Sequence, residues 1–459
     1  MKQLFFVKPP VDGAVKTRLA SFLGPTMARR IYESILVTLI RNFKGSEVCL
    51  YIASEDKDRY FQNNFPDYQQ SYQTSGDLGD RMAHAFLESA RKWPGQNILL
   101  TGSDIPEYHP SIANRANELL NSNDVVLIPS TDGGYTTIGF SYRVFRDIQK
   151  AQADSNSRSE SDFFNLFSNI TWSTNTVLQD QKQKLELSGL RVALLEALHD
   201  LDDARDLYFL YRNGKLPEAT LELMEELPGI ALLLPVYNEV ENLEFVLNPL
   251  KESRFFEYIV CADNGSTDGS REKARELGAL VSLCQRRGYG STCLKGMELL
   301  DGYDDWDILL FMDADGSDDP ADLVSVLGPV VSNEAELCLG ARTSGALLPH
   351  QKFGNWLATF LIRWIYGYSY RDLGPFRAIN RKALKRLAMD DPDFGWTVQM
   401  QIRAVQNGLC IREMPVTSRK RYAGKSKVSA TIRGSVLAGW IILRTVFREF
   451  LLNKKDSSD

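Results

Sequence analysis

The segment Ile308-Leu309-Leu310-Phe311-Met312-Asp313-Ala314-Asp315-Gly316-Ser317-Asp318-Asp319-Pro320 passes from pure hydrocarbon to clustered carboxylates in one short stretch. Its apolar start has the length and character of a buried strand. Two carboxylates spaced i, i+2 follow directly, on a loop where both can approach one cation. Hard divalent ions prefer such oxygen ligands, and Mg²⁺ or Mn²⁺ bridges a diphosphate in this kind of setting. The same residues also suit a turn that caps a helix, with Asp318 or Asp319 before Pro320 as the cap.

Working outward, similar strands recur. Gly229 to Pro235, Tyr258 to Cys261 and Ile308 to Met312 lie in the second half. Leu4 to Val7, Val48 to Ile52 and Asn97 to Leu100 lie in the first. Helical stretches fall between them, such as Met27 to Phe43 and Glu239 to Lys251. Strands alternating with helices predict an α/β protein with mostly parallel sheets covered on both faces. Ile98 to Asp104 parallels Ile308 to Asp315, each an apolar strand ending in a carboxylate. The two halves are therefore expected to share a fold, as residues 1–225 and 226–459. The boundary is placed in the Glu-rich stretch from Lys215 to Pro228. Open α/β sheets bind ligands at the carboxyl ends of their strands. Ala153 to Ser161 is the most loop-like segment.

Composition narrows the classes. A chain of 459 residues, 44% hydrophobic and 24% charged, fits two or three globular domains and excludes collagen, a coiled-coil rod or a disordered chain. The six Cys are scattered and read as reduced thiols of a cytoplasmic protein. The four His form no metal-ligand spacing. The apolar run at the start is too short for a signal peptide. No charge-free stretch reaches the roughly 18 residues of a membrane span. From Gly340 to Asp459 there are 21 Lys and Arg against 8 Asp and Glu, a net +13 within a chain of net −6. That basic end either faces phosphates, an anionic membrane or nucleic acid, or is simply a solvated surface.

More clusters fall on the same expected rim: Leu234-Pro235-Val236-Tyr237-Asn238-Glu239, Cys261-Ala262-Asp263-Asn264-Gly265-Ser266, and Arg286-Arg287-Gly288-Tyr289-Gly290. They offer acceptors for a base, cations, glycines and a metal pair, which together suit a nucleotide. In this order the motifs from Gly229 to about Phe450 resemble the family 2 glycosyltransferases of the GT-A fold, in the branch of dolichyl-phosphate mannose synthase-like enzymes. The resemblance implies a Rossmann-like sheet and a nucleoside diphosphate sugar as donor. It implies that Pro235, Tyr237 and Glu239 line the nucleoside pocket and that Asp263 accepts from the base. Arg286 and Gly290 would lie near the ribose or diphosphate, and Asp313 and Asp315 would hold Mg²⁺ or Mn²⁺. Asp372-Leu373-Gly374-Pro375-Phe376-Arg377 resembles the acceptor-side loop. Arg419 to Lys427 resembles the basic phosphate-contacting loop, with Arg421 and Lys427 expected to stabilise the leaving group.

Two positions depart from the family pattern. The usual Asp-Asp-Gly-Ser reads Asp263-Asn264-Gly265-Ser266. Gln399 stands where relatives often carry a carboxylate, and Gln is no general base. Either the acceptor is a lipid phosphate that needs no strong base, or the base lies elsewhere with Asp372 the candidate, or activity is weakened.

In the first half, Lys8-Pro9-Pro10-Val11-Asp12-Gly13-Ala14-Val15-Lys16-Thr17-Arg18 puts three cations around a loop between strand and helix, a natural phosphate setting. With Gly76 to Met82, Gly102 to Pro106, Asp132 to Tyr135 and Asp200 to Leu207, it resembles a bacterial family of nucleotidyltransferase-like GT-A proteins of undefined reaction. By that resemblance Lys8, Lys16 and Arg18 face nucleotide phosphates, and Asp104 and Asp202 form a metal pair. Asp12 stands where relatives often have Pro.

The expectation is a cytoplasmic tandem GT-A glycosyltransferase whose first domain makes or binds the activated sugar. The alternative is that one or both domains are non-catalytic nucleotide-sugar binding modules. Apolar, aromatic helices at Phe353 to Tyr366 and Val436 to Leu452 suit either core packing or peripheral contact with the inner face of the membrane, where a lipid-phosphate acceptor would arrive. Nucleic acid is not expected as a partner, because the cations do not interleave with stacking aromatics.

Overall fold

The computed structural model describes residues 1–53, 59–151, 159–344, 349–424 and 432–456. It divides into two compact units: Met1–Ala20 with Pro25–Glu225, and Glu226–Asp459 with the short piece Ser21–Gly24.

The N-terminal unit is built on strands β1 (Lys2–Val7), β2 (Val48–Ile52), β3 (Gln69–Tyr72), β4 (Ile98–Gly102), β5 (Val125–Pro129), β6 (Tyr135–Phe140) and β7 (Val192–Leu194). They form one sheet in the order β3-β2-β1-β4-β6-β5-β7. The C-terminal unit uses β8 (Ile230–Val236), β9 (Tyr258–Asp263), β10 (Leu280–Leu283), β11 (Ile308–Phe311), β12 (Leu337–Ser344), β13 (Arg377–Asn380) and β14 (Ile411–Thr417). Their order is β10-β9-β8-β11-β13-β12-β14, the same path shifted by seven strands.

The strand directions match too. β6 runs antiparallel to β4 and β5, as β13 does to β11 and β12, and every other pairing is parallel. The expected shared fold is thus present, with one reversed strand in each sheet that apolar patterning did not signal.

Both faces of each sheet are covered. Ala231 to Leu234 are fully enclosed, as are Leu4 and Phe5. Continuous apolar runs are what strands buried on two sides require. The helix Val240–Glu252 follows β8, and Tyr289–Leu300 follows the loop after β10. These connections bring the ends of β8, β9 and β11 to one rim. Pro25–Arg41 forms the helix expected after β1, burying Ile31, Ile35, Leu36, Leu39 and Ile40 on one face.

Candidate functional site

At the end of β11 the chain turns through Asp313 and Asp315. Asp318 is folded beneath them and accepts the Asp313 backbone N–H at 3.0 Å. Burial, with Asp315 adding to it, pushes the Asp318 carboxyl up to about 7. Burial, then Asp315 and Asp318, raise Asp313 well above the usual carboxylate range, against the pull of Arg342 and Arg421. The helix-cap role foreseen for this stretch falls to Asp319, which accepts from Ala321 N at 2.9 Å and pairs with Arg419. Among the described residues no group of three or more His, Cys, Asp or Glu is arranged to hold a metal ion by itself. What exists is an open set of hard oxygen donors with surplus negative charge. A dication that shares its ligands with a diphosphate fits that chemistry.

The nucleoside side forms around β8 and β9. Tyr237 lies at the rim with the Arg287 guanidinium 4.1 Å over its ring. Glu239 is buried, accepts from Asn242 and pairs with Arg421. Arg421 also reaches Asp315 at 3.5 Å, so one guanidinium joins the expected nucleoside and metal residues. Asp263 is enclosed, its Oδ1 accepting from Gly265 N and Ser266 N at 3.1 Å and from Arg271 at 3.3 Å. Its Oδ2 makes the longer contact, 3.3 Å to Ser266 N. Pro235 is partly exposed beside it.

The Arg286 to Gly290 loop departs from expectation. Arg286 is exposed, but Gly290 approaches the chain's own backbone rather than open space for a diphosphate: a Cβ there would stand 1.9 Å from the Asp391 carbonyl oxygen. Gly288, at φ +143°, is equally blocked by the Pro392 carbonyl at 2.3 Å. The helix amides of Gly290 and Ser291 donate to Asp393 O (3.2 Å) and Pro392 O (2.8 Å). These two amides are therefore spent on the fold and not on phosphate.

On the acceptor side, Asp372 is enclosed and holds Arg342 through Nε (2.6 Å), Nη2 (2.8 Å) and the Arg342 backbone N–H (3.1 Å). A carboxylate so engaged is the anchor of a guanidinium. Arg377, 1% exposed, is held by the carbonyls of Thr397 and Gly374. Gln399 is wholly buried. Its Oε1 accepts from Asp390 N (3.1 Å) and Asp391 N (2.9 Å), and its Nε2 donates to Asp390 Oδ1 (2.6 Å) and Glu449 Oε1 (2.8 Å). It belongs to an internal network and faces no acceptor. A strap from Ser418 to Gly424 crosses the loop after β11. Arg419 N donates to Ser317 O (2.8 Å), Tyr422 N to Asp315 O (3.1 Å), and Tyr422 stacks on Phe245 at 4.1 Å. Lys427 lies outside the described residues.

In the N-terminal unit the Lys16 ammonium stands between Asp104 Oδ2 (2.5 Å) and Asp202 Oδ1 (3.0 Å). Burial pulls its pKa down, but the two carboxylates more than reverse that and raise it. The expected metal pair is therefore bridged by a lysine that had been expected to face phosphates. Lys8 is exposed, and Arg18 reaches Asp202 at 3.8 Å from an exposed position. Asp200, which sequence reasoning left without a role, is pushed up to about 6 by burial and by Asp104, Asp132 and Asp202. Asp12 ties its loop to the following helix through Thr26 (3.0 Å) and Arg29 (2.7 Å), a bond that Pro could not make.

Residues 231–388 match the profile of glycosyl transferase family 2, and residues 36–174 match that of a family of uncharacterized proteins conserved in bacteria. An uncharacterized glycosyltransferase of Mycobacterium tuberculosis is 32% identical over 214 residues, spanning 46% of this chain and 94% of the relative. The chain belongs to glycosyl transferase family 2. A polyprenol monophosphomannose synthase of Mycolicibacterium smegmatis is 28% identical over 222 residues, 44% of this chain and 81% of that protein. A solved putative nucleotide-diphospho-sugar transferase from Desulfovibrio desulfuricans is 28% identical, with 49% of this chain and 95% of that one covered at a TM-score of 0.42.

Within the span matched to this glycosyltransferase family lie Pro235, Tyr237, Glu239, Asp263, Arg286, Gly290, Asp313, Asp315 and Asp372, whereas Arg421 and Lys427 fall beyond it. The residues that sequence reasoning missed in the glycosyltransferase unit are Asp318 and Arg342. Asp318 had been folded into a capping motif. Arg342 sits in β12, opposite Val416 of β14, with no flanking motif, and its bond to Asp372 spans 30 residues of chain.

Proposed function

We propose that the C-terminal unit transfers a sugar from a nucleoside diphosphate sugar to a phosphate-bearing polyprenyl lipid at the cytoplasmic face of a membrane. The carrying observation is Arg421, which pairs with Glu239 and reaches Asp315, so that the nucleoside and metal sides form one site. Asp313 and Asp315 are the residues to hold Mg²⁺ or Mn²⁺, which when bound would offset the charge of the departing diphosphate. Tyr237 and Arg287 offer a flat face to the base, and Asp263 Oδ2 an acceptor for its N–H. Arg421 and, from the same basic loop, Lys427 would draw off the negative charge that builds on the leaving diphosphate. Arg342, fixed by Asp372, supplies a cation for an acceptor phosphate. An acceptor phosphate is already an anionic nucleophile, so the engagement of Asp372 and Gln399 elsewhere leaves no base missing.

A lipid acceptor suits the outward faces of helices Pro349–Tyr366 and Ile432–Asp456. Trp356, Phe360, Trp364, Trp440, Phe447 and Leu451 are all more than half exposed. No helix among the described residues is long and apolar enough to cross a membrane, so the contact would be peripheral. The N-terminal unit, with Lys8, Lys16 and Arg18 near Asp104 and Asp202, is read as a nucleotide or nucleotide-sugar site. It would make or bind the donor.

The test is direct. The full chain is incubated with Mn²⁺, polyprenyl phosphate in detergent and a panel of UDP- and GDP-sugars, and sugar-phospholipid is sought by mass spectrometry. Asp315→Ala should abolish the product. A wild-type chain that hydrolyses donors but never glycosylates the lipid would refute the acceptor. Pyrophosphate release from sugar 1-phosphate and nucleoside triphosphate tests the N-terminal unit.

A further inference from the structure

The two departures from the family pattern converge on one segment. After β9, the Asn264 amide donates to the Arg286 carbonyl at 2.7 Å while its Oδ1 accepts from Gly288 N at 3.1 Å. From the opposite flank, Gln399 binds the backbone N–H groups of Asp390 and Asp391. The carbonyls of Pro392 and Asp393 then cap Gly290 and Ser291. Thr445 on the C-terminal helix donates to Asp391 Oδ2 at 3.0 Å, and Glu449 receives Gln399 at 2.8 Å.

In this structure a carboxylate would not reproduce the bonds of either amide. Asp at 264 would turn an acceptor toward the Arg286 carbonyl. Glu at 399 would stand against Asp390 and Glu449, with only Arg403 and Arg448 to balance three carboxylates. An amide both donates and accepts, and each site uses both capacities.

We propose that Asn264 and Gln399 are positioning residues that pre-form the Arg286–Ser291 loop for the donor, acting on it from its two sides. The proposal rests on the reading of this loop as donor-facing. A preformed loop spends no donor binding energy on ordering itself, so its loss falls on binding and not on the chemical step.

The variants Asn264→Asp and Gln399→Glu conserve volume, and Thr445→Val is a milder third. Each of the first two should raise the donor KM about tenfold, the worth of one or two lost hydrogen bonds, with kcat within about twofold. Thr445→Val should move KM in the same direction by less. In the double variant the rise should fall short of the product of the singles, since both act on one loop. Hydrogen exchange on the full chain, without ligand, should show faster exchange at Gly290 and Ser291 in each variant and no change in β1. Wild-type exchange at those amides, a fall in kcat at constant KM, or full additivity would each overturn the proposal. A wild-type chain that binds no UDP- or GDP-sugar would remove the donor assignment instead, while the exchange result would still decide whether the amides hold the loop.

Discussion

On the proposed reading of Asp313 and Asp315 as the metal pair, ionisation of the adjoining Asp318 should make dication binding depend on pH. Its carboxyl is pushed up to about 7 by burial beside Asp315. A dication held at this loop requires the ionised form, so protons compete with it. The apparent dissociation constant is multiplied by 1 + 10^(7 − pH): about 11-fold at pH 6, about twofold at pH 7 and about 1.1-fold at pH 8. Binding should therefore weaken about tenfold from pH 8 to pH 6 through Asp318 alone. Asp313, raised as well, steepens the change. The assay is Mn²⁺ titration of the full chain by electron paramagnetic resonance, with Asp315→Asn as the comparator that isolates this site. Calorimetry in buffers of different ionisation enthalpy should count between one and two protons released near pH 6.

Stability carries the same sign. Asp318 is raised above its unfolded value of 3.8, so its contribution is complete below about pH 4 and lost as pH rises through about 7. Mn²⁺ relieves that loss and should raise the melting temperature more at pH 8 than at pH 6. An affinity equal at both pH values, with no protons released, would refute the reasoning.

Three further outcomes are expected. Lys16→Met should lower the melting temperature by a few degrees, for a cost of about 1–2 kcal/mol; Asp104 and Asp202 are partly exposed, so water screens much of the lost pairing. Unchanged melting would mean that the ion pairs contribute nothing. Asp372→Asn and Arg342→Met should lower kcat/KM by similar factors, with the double variant no worse than either single, because the two act as one unit. A loss of about 10²–10⁴-fold confined to Asp372→Asn would instead restore it as the base. Replacing Trp364 and Trp440, 75% and 65% exposed, by Ser should cut cosedimentation with anionic vesicles about tenfold or more and leave the melting temperature unchanged. Equal sedimentation would take the membrane contact off those helices.

Much of the fold was legible because strands buried on both faces leave continuous apolar runs, as at Leu4 to Val7 and Ile230 to Leu234. The reversed strands escaped notice: Tyr135–Phe140 contains Thr136, Thr137 and Gly139, and Arg377–Asn380 opens on a charge. The rim carboxylates were legible because a strand end followed by Asp is a local pattern. Direction and partnership are not local. Asp372 read as a candidate base and Gln399 as a missing carboxylate from chain position, yet their partners are Arg342 and Glu449, 30 and 50 residues away. Arg377 gave no sign of being enclosed, since a guanidinium satisfied by carbonyls leaves no partner to see in the sequence.

The two sheets follow one path, but they balance the charge at their rims differently. In the N-terminal unit Lys16, from the loop after β1, sits between Asp104, which follows β4, and Asp202, so that an ammonium offsets part of the carboxylate charge there. In the C-terminal unit the loop after β8 carries Tyr237, Asn238 and Glu239 and no cation, so the carboxylates after β11 are opposed only from other elements, by Arg342 and by Arg421 at 3.5 Å from Asp315. On the proposed metal reading, a dication would therefore relieve repulsion in the C-terminal unit but would have to displace an ammonium in the N-terminal one. The same fold is then expected to take metal more readily at one rim than at the other. That difference follows from which residue each unit places after its first strand.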